Sequence, residues 1–105
     1  MADLQGIIAP VSNANTPSIA SSTTALAANP ARGAWMIQNL NGANPLFVNL
    51  GGTASTTVFH VVLKPGSGND DGLGGSFAQE NGVIFTGAVT VAGTSPRYTV
   101  TELTK

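Results

Sequence analysis

A single histidine, His60, and a single pair of neighbouring carboxylates, Asp70-Asp71, are the residues of this 105-residue chain best suited to moving protons. A histidine relay also needs a hydroxyl nucleophile and a carboxylate converging on the imidazole. Ser and Thr are spread so widely that their presence points to no nucleophile. His60 falls between Val58 and Val62 in a strand-like run, so it is expected to be a hydrogen-bonded sheet histidine. An interface pH sensor is the other use of such a group. Asp70 and Asp71 are sequence neighbours in a glycine loop, where side chains diverge. No apolar stretch closes around them to raise one pKa for acid catalysis.

Metal and phosphate chemistry find equally little to build on. Counted from Asn69, Asp71 stands at position 3, Gly74 at position 6 and Glu80 at position 12, echoing part of a calcium loop. Asn69 at position 1, Leu73 at position 5 and the lack of flanking helices argue against it. Gly66-Ser67-Gly68 and Gly72-Leu73-Gly74-Gly75 lack the Lys and the strand-to-helix setting of a phosphate loop, and read as connectors. Trp35, Phe47, Phe59, Phe77, Phe85 and Tyr98 include candidates for a sugar-stacking platform, but a domain this small needs most of them for its core. No catalytic, metal or cofactor site is therefore expected, and no enzyme.

Composition points toward assembly. Hydrophobic residues make up 42% of the chain and charged residues only 9%, with a formal net charge of -1. Soluble domains typically carry about 25% charged residues, so this surface reads as one that neighbours cover. A monomer coated with Thr, Ser and Asn is the competing reading. Without Cys there is no disulfide framework and no thiolate metal site, and stability must come from packing or oligomerisation. The first residues lack the basic start and long apolar run of a secretory signal. No stretch approaches the ~20 apolar residues of a membrane-spanning helix, and the four Lys and Arg make no basic footprint for nucleic acid.

The elements follow from the side-chain alternation. Residues 1–21 are poor in large side chains, and Pro10 and Pro17 block a long helix. They fit an extended arm whose sticking point is Ile7, Ile8 and Val11, or else a disordered tail. If the arm docks, it can add a strand to another subunit's sheet edge. Residues 22–105 form the single domain, beginning with Ser22–Asn29, where Ala25–Ala28 favour a helix but a short strand is the preferred reading, ended in either case by Asn29-Pro30. Ala34–Leu50 is its centre: Trp35 and Ile37 share one face, Met36 and Gln38 the other, and Leu46, Val48 and Leu50 align after Asn41–Pro45. That spacing predicts a β-hairpin. Thr53–Leu63 reads as an internal strand because both its faces are apolar. Lys64–Ser76 is a long glycine loop whose far end Phe77 pins. Val83–Phe85 supplies a further strand, and Gly87–Ala92 with Arg97–Leu103 makes a second hairpin, with Tyr98, Val100 and Glu102 on one face. Six to eight short strands at this spacing predict an all-β sandwich or small jelly roll with an N-terminal arm.

Asn29-Pro30-Ala31-Arg32, the strand ending Ile37-Gln38-Asn39, then Asn44-Pro45-Leu46-Phe47-Val48 and Gly51-Gly52 together resemble a group of small tailed-bacteriophage virion proteins. Phe59-His60, Thr86-Gly87-Ala88-Val89 and Thr101-Glu102-Leu103 extend the likeness over residues 22–104, leaving the arm outside it. The resemblance implies a non-enzymatic head decoration or cement protein on the capsid surface, sitting as a homotrimer on the lattice of the major capsid protein. Such a protein binds the assembled shell and not its separated subunits. On that reading Ile7, Ile8, Val11 and Arg32 are the candidate partner contacts. Arg32 would pair with a capsid carboxylate, or else fix its own loop. The alternative is a tail or fibre module, or another glycan-binding β-sandwich, which would need aromatic side chains exposed together.

Overall fold

The computed structural model describes the backbone of residues 7–8, 12–15, 19–67, 73–94 and 96–104, and side chains only from residue 23 onward. Its strands are β1 (Ile7–Ile8), β2 (Ser12–Asn15), β3 (Ile19–Leu26), β4 (Arg32–Asn39), β5 (Leu46–Leu50), β6 (Val61–Leu63), β7 (Ser76–Gln79), β8 (Val89–Gly93) and β9 (Arg97–Thr104). β3 begins ahead of the expected arm boundary, and seven strands run from there to the end, within the expected six to eight. Every pairing is antiparallel. β1 and β2 lie along the same edge of β9, with Ile7 opposite Thr104 and Ser12 opposite Val100, and so form one interrupted strand.

The first sheet runs arm, β9, β4, β7, and the second β3, β8, β5, β6. Among the described residues only β5 and β6 are consecutive strands paired within one sheet; the other connections between β2 and β9 cross from sheet to sheet. That order is the jelly roll, the all-β sandwich expected from the alternation.

Both expected hairpins are instead corners. β4 and β5 belong to different sheets, as do β8 and β9, so Trp35 and Ile37 face Leu46 and Val48 across the core. Two alternating runs joined by turn residues look the same in sequence whether the chain folds back beside itself or over itself. The inward faces come out as read, because either arrangement buries the same alternate positions. The β4–β5 corner is held by Asn41, whose Oδ1 accepts from the amides of Ala43 and Asn44. The strand ends next to them lie side by side: Gly93 of β8 pairs with Leu46 of β5, and a Cβ on Gly93 would lie 2.9 Å from the Pro45 carbonyl oxygen.

Two further expectations change. Within Thr53–Leu63 only β6 is a strand, and it is an edge strand. Ser55 turns the preceding chain, its Oγ accepting from the amides of Thr57 and Val58. Residues 83–85 are loop, held at Phe85 by its amide donating to Gln79 Oε1.

The core comprises Leu26, Trp35, Ile37, Leu46, Val48, Leu63, Val89, Val91, Tyr98 and Val100, all buried. At about 1.5–3 kcal/mol for each large apolar side chain buried, this layer is the main source of stability. Trp35 is 2% exposed, packs its ring 5.6 Å from Phe77 and donates its indole N–H to Gln79 Oε1 at 2.8 Å. That contact pins the far end of the glycine loop, as expected of Phe77.

Candidate docking surfaces

β4 carries a buried polar residue at each end, and these fix the frame on which the outer faces are displayed. At its start Arg32 is 1% exposed. The guanidinium donates to Glu102 Oε1 through Nε at 2.7 Å, to the Phe85 and Gly87 carbonyls through Nη1, and to the Ala27 carbonyl through Nη2. At its end Asn39, fully buried, donates to the carbonyls of Asn44, Leu63 and Lys64 and accepts from the Asn41 amide. Four donated bonds commit Arg32 to tying Ala27 just after β3, the loop after residue 84 and β9 together. Its geometry is that of the loop-fixing alternative.

Arg32 and Trp35 share the inward face although they are an odd number of residues apart. The register of β4 against β9 shifts between Arg32 and Ala34, and this bulge turns the arginine inward. Gly33 is the sequence sign of such a bulge. Glu102 was the second sign: a carboxylate on the face of Tyr98 and Val100 needs a buried cation beside it.

His60 lies just before β6 and is exposed; its Nδ1 accepts the Leu50 amide at 3.0 Å, while its own amide donates to the Val48 carbonyl. It is thus hydrogen-bonded to the sheet, from a loop position. Among the described residues no three His, Asp or Glu side chains gather closely enough to hold a metal ion. Asn69, Asp70 and Asp71 lie outside the described residues; Leu73 and Glu80, their neighbours in the calcium pattern, are both exposed. Val11 is outside them too, and Ile7 and Ile8 are described only as backbone paired to β9.

Two apolar areas face outward instead. On the first sheet an open groove of about 230 Å³ is lined by Ala34, Trp35, Met36, Ala78, Glu80, Thr101 and Leu103. Its floor is set by register: Met36 stands opposite both Ala78 and Thr101, and Ala34 opposite Leu103, so small side chains alternate with long ones. Met36 is 53% exposed. On the second sheet Phe47 packs on Phe59 at 5.1 Å and stands opposite its cross-strand partner Val62; Phe59 and Val62 are 39% and 48% exposed. Met36 stands on the face of β4 opposite Trp35, and Phe59 and Val62 fall in the Thr53–Leu63 run whose two faces are both apolar. Their apolar character was visible in the sequence, but their gathering depended on the strand order.

Among the described residues no helix is long and apolar enough to cross a membrane. The chain matches no protein-family model, no curated protein and no solved structure.

Proposed function

We propose that this chain is a structural protein of a tailed-bacteriophage particle, a capsid decoration or cement protein that binds the assembled lattice of the major capsid protein as a homotrimer. The observation that carries the reading is the outward apolar surface on both sheets, Met36 with Leu103 on one and Phe59 with Val62 on the other, in a chain with only 9% charged residues. Apolar side chains gathered on outer sheet faces, with little charge between them, suit a surface that other protein covers. The jelly roll supports the reading by analogy alone, since viral capsid proteins and lectins both use it. A cement protein of this kind stabilises by mass action, binding the shell and not its loose subunits, with each copy adding its binding free energy.

A tail or fibre module that touches glycans is the second reading, favoured by the partly exposed Phe47–Phe59 pair. The two rings are inclined at 56°, so they pack on each other and do not form the flat platform a sugar ring stacks on. The readings separate by co-sedimentation with emptied phage heads and by glycan-array binding. The cement reading predicts that the protein pellets with heads, ignores the separated capsid subunits and leaves the array blank.

A further inference from the structure

The arm and β9 pair in a way that does not require them to belong to one chain. β1 and β2 cover six of the eight residues of β9, namely Arg97–Val100, Leu103 and Thr104. Among the described residues β9 is the only strand with which either arm strand pairs. The contact is a main-chain ladder made by a segment rich in Ala, Ser and Asn, and a ladder is indifferent to the chain that supplies the second strand. Thr16-Pro17-Ser18 alone separate β2 at the edge of the first sheet from β3 at the edge of the second.

From these relationships we infer that the arm is an exchangeable strand, and that β1 and β2 of one copy cover the β9 edge of a second copy in the assembled form. The closed and exchanged forms contain the same pairings, so their balance rests on two small quantities: the entropy of association and the ease of the link. Crowding copies side by side reduces the first, because a neighbour's arm then reaches β9 at a high effective concentration. The edge itself demands a cover. β9 is an eight-residue strand carrying Thr99, Val100 and Thr101, and left bare it would be a template for uncontrolled pairing. An arm supplied by a neighbour gives that cover and ties the copies together at once. This exchange is independent of what the assembly sits on.

The chain has no Cys, so a disulfide can report the partner directly. Asn13 and Thr99 are cross-strand partners, and Thr99 alternates with the buried Tyr98 and Val100, on the outward face. Concentrated Asn13→Cys chains are mixed with concentrated Thr99→Cys chains, oxidised gently and run on a non-reducing gel. Exchange predicts a band joining one chain of each kind. In the double variant it predicts cross-linked multimers that increase with concentration at the expense of internally bridged monomer. The Ile8→Cys and Leu103→Cys pair repeats the measurement at the other end of the arm, should the first pair fold poorly. Internally bridged monomer alone at every concentration, with no joined band from the mixtures of either pair, would overturn the exchange while leaving the head-binding question to its own experiment.

Discussion

Arg32 and Glu102 meet at 2.7 Å at one end of the sandwich, the guanidinium fully enclosed and the carboxylate 15% exposed. Around the pair, the carbonyls of Ala27, Phe85 and Gly87 depend on the same arginine. Removing one partner of such a pair leaves the others desolvated and unmatched. Arg32→Met is therefore expected to cost about 3–5 kcal/mol in denaturant unfolding. Glu102→Gln keeps an acceptor and should cost about 1–3 kcal/mol. An Arg32→Met protein as stable as the parent would show that the cluster contributes nothing.

Asn39 permits a sharper comparison, because its amide nitrogen serves three carbonyl oxygens. Asn39→Ala leaves those oxygens without a donor. Asn39→Asp keeps the acceptor for the Asn41 amide but sets a carboxylate oxygen against the three carbonyls in a fully buried site. The aspartate variant is expected to unfold at lower denaturant than the alanine variant at neutral pH, although Asp is the closer match in shape.

At Gly74 a Cβ would stand 2.2 Å from the Asn39 carbonyl oxygen, a backbone atom that cannot swing aside. Gly82 has φ +74 but open space around it. Gly82→Ala should therefore cost only the backbone strain of about 1 kcal/mol. Gly74→Ala should cost clearly more, since the turn at the end of the glycine loop must move away from β4. Thermal melts of the two variants compare them directly.

Burial raises the Tyr98 phenol above its ordinary value of 10.0. Above pH 10.0 the unfolded chain gives up a proton that the folded chain keeps, so the folded state binds more protons and stability declines as pH rises. The contribution is complete below that pH and is lost as pH climbs through the folded value. In an alkaline titration the phenolate absorbance of Tyr98 should emerge together with unfolding, and Tyr98→Phe should remove that part of the alkaline loss.

The Leu50 amide donates to His60 Nδ1, which fixes the neutral ring with its proton on Nε2. Nitrogen NMR at neutral pH is expected to show that tautomer. A predominant Nδ1–H signal would mean the contact is absent in solution.

Much of the fold was legible because alternation reports faces. Trp35 with Ile37, Leu46 with Val48, and Tyr98 with Val100 all point into the core as the pattern requires. Alternation is silent on which sheet a strand joins, and so Asn41–Pro45 and the link from Gly93 to Pro96 looked like hairpin turns when they are corners. The strand read into Thr53–His60 rested on β-branched residues, whose preference yields where Ser55 bonds its own backbone. Arg32 was hidden for a different reason: a bulge reversed its face, and only Gly33 and the inward Glu102 carried any sign of it. The outward groove needed three strands in register, β7 beside β4 beside β9, and pairing between distant strands is not written in local sequence.

Electron microscopy of emptied phage heads incubated with the purified protein tests the central claim most directly. Density for a jelly roll is expected at regular positions on the outer shell, in threefold clusters, with heads that withstand heating better than bare ones. Heads that stay bare at saturating protein, with the chain remaining a monomer in solution, would contradict it.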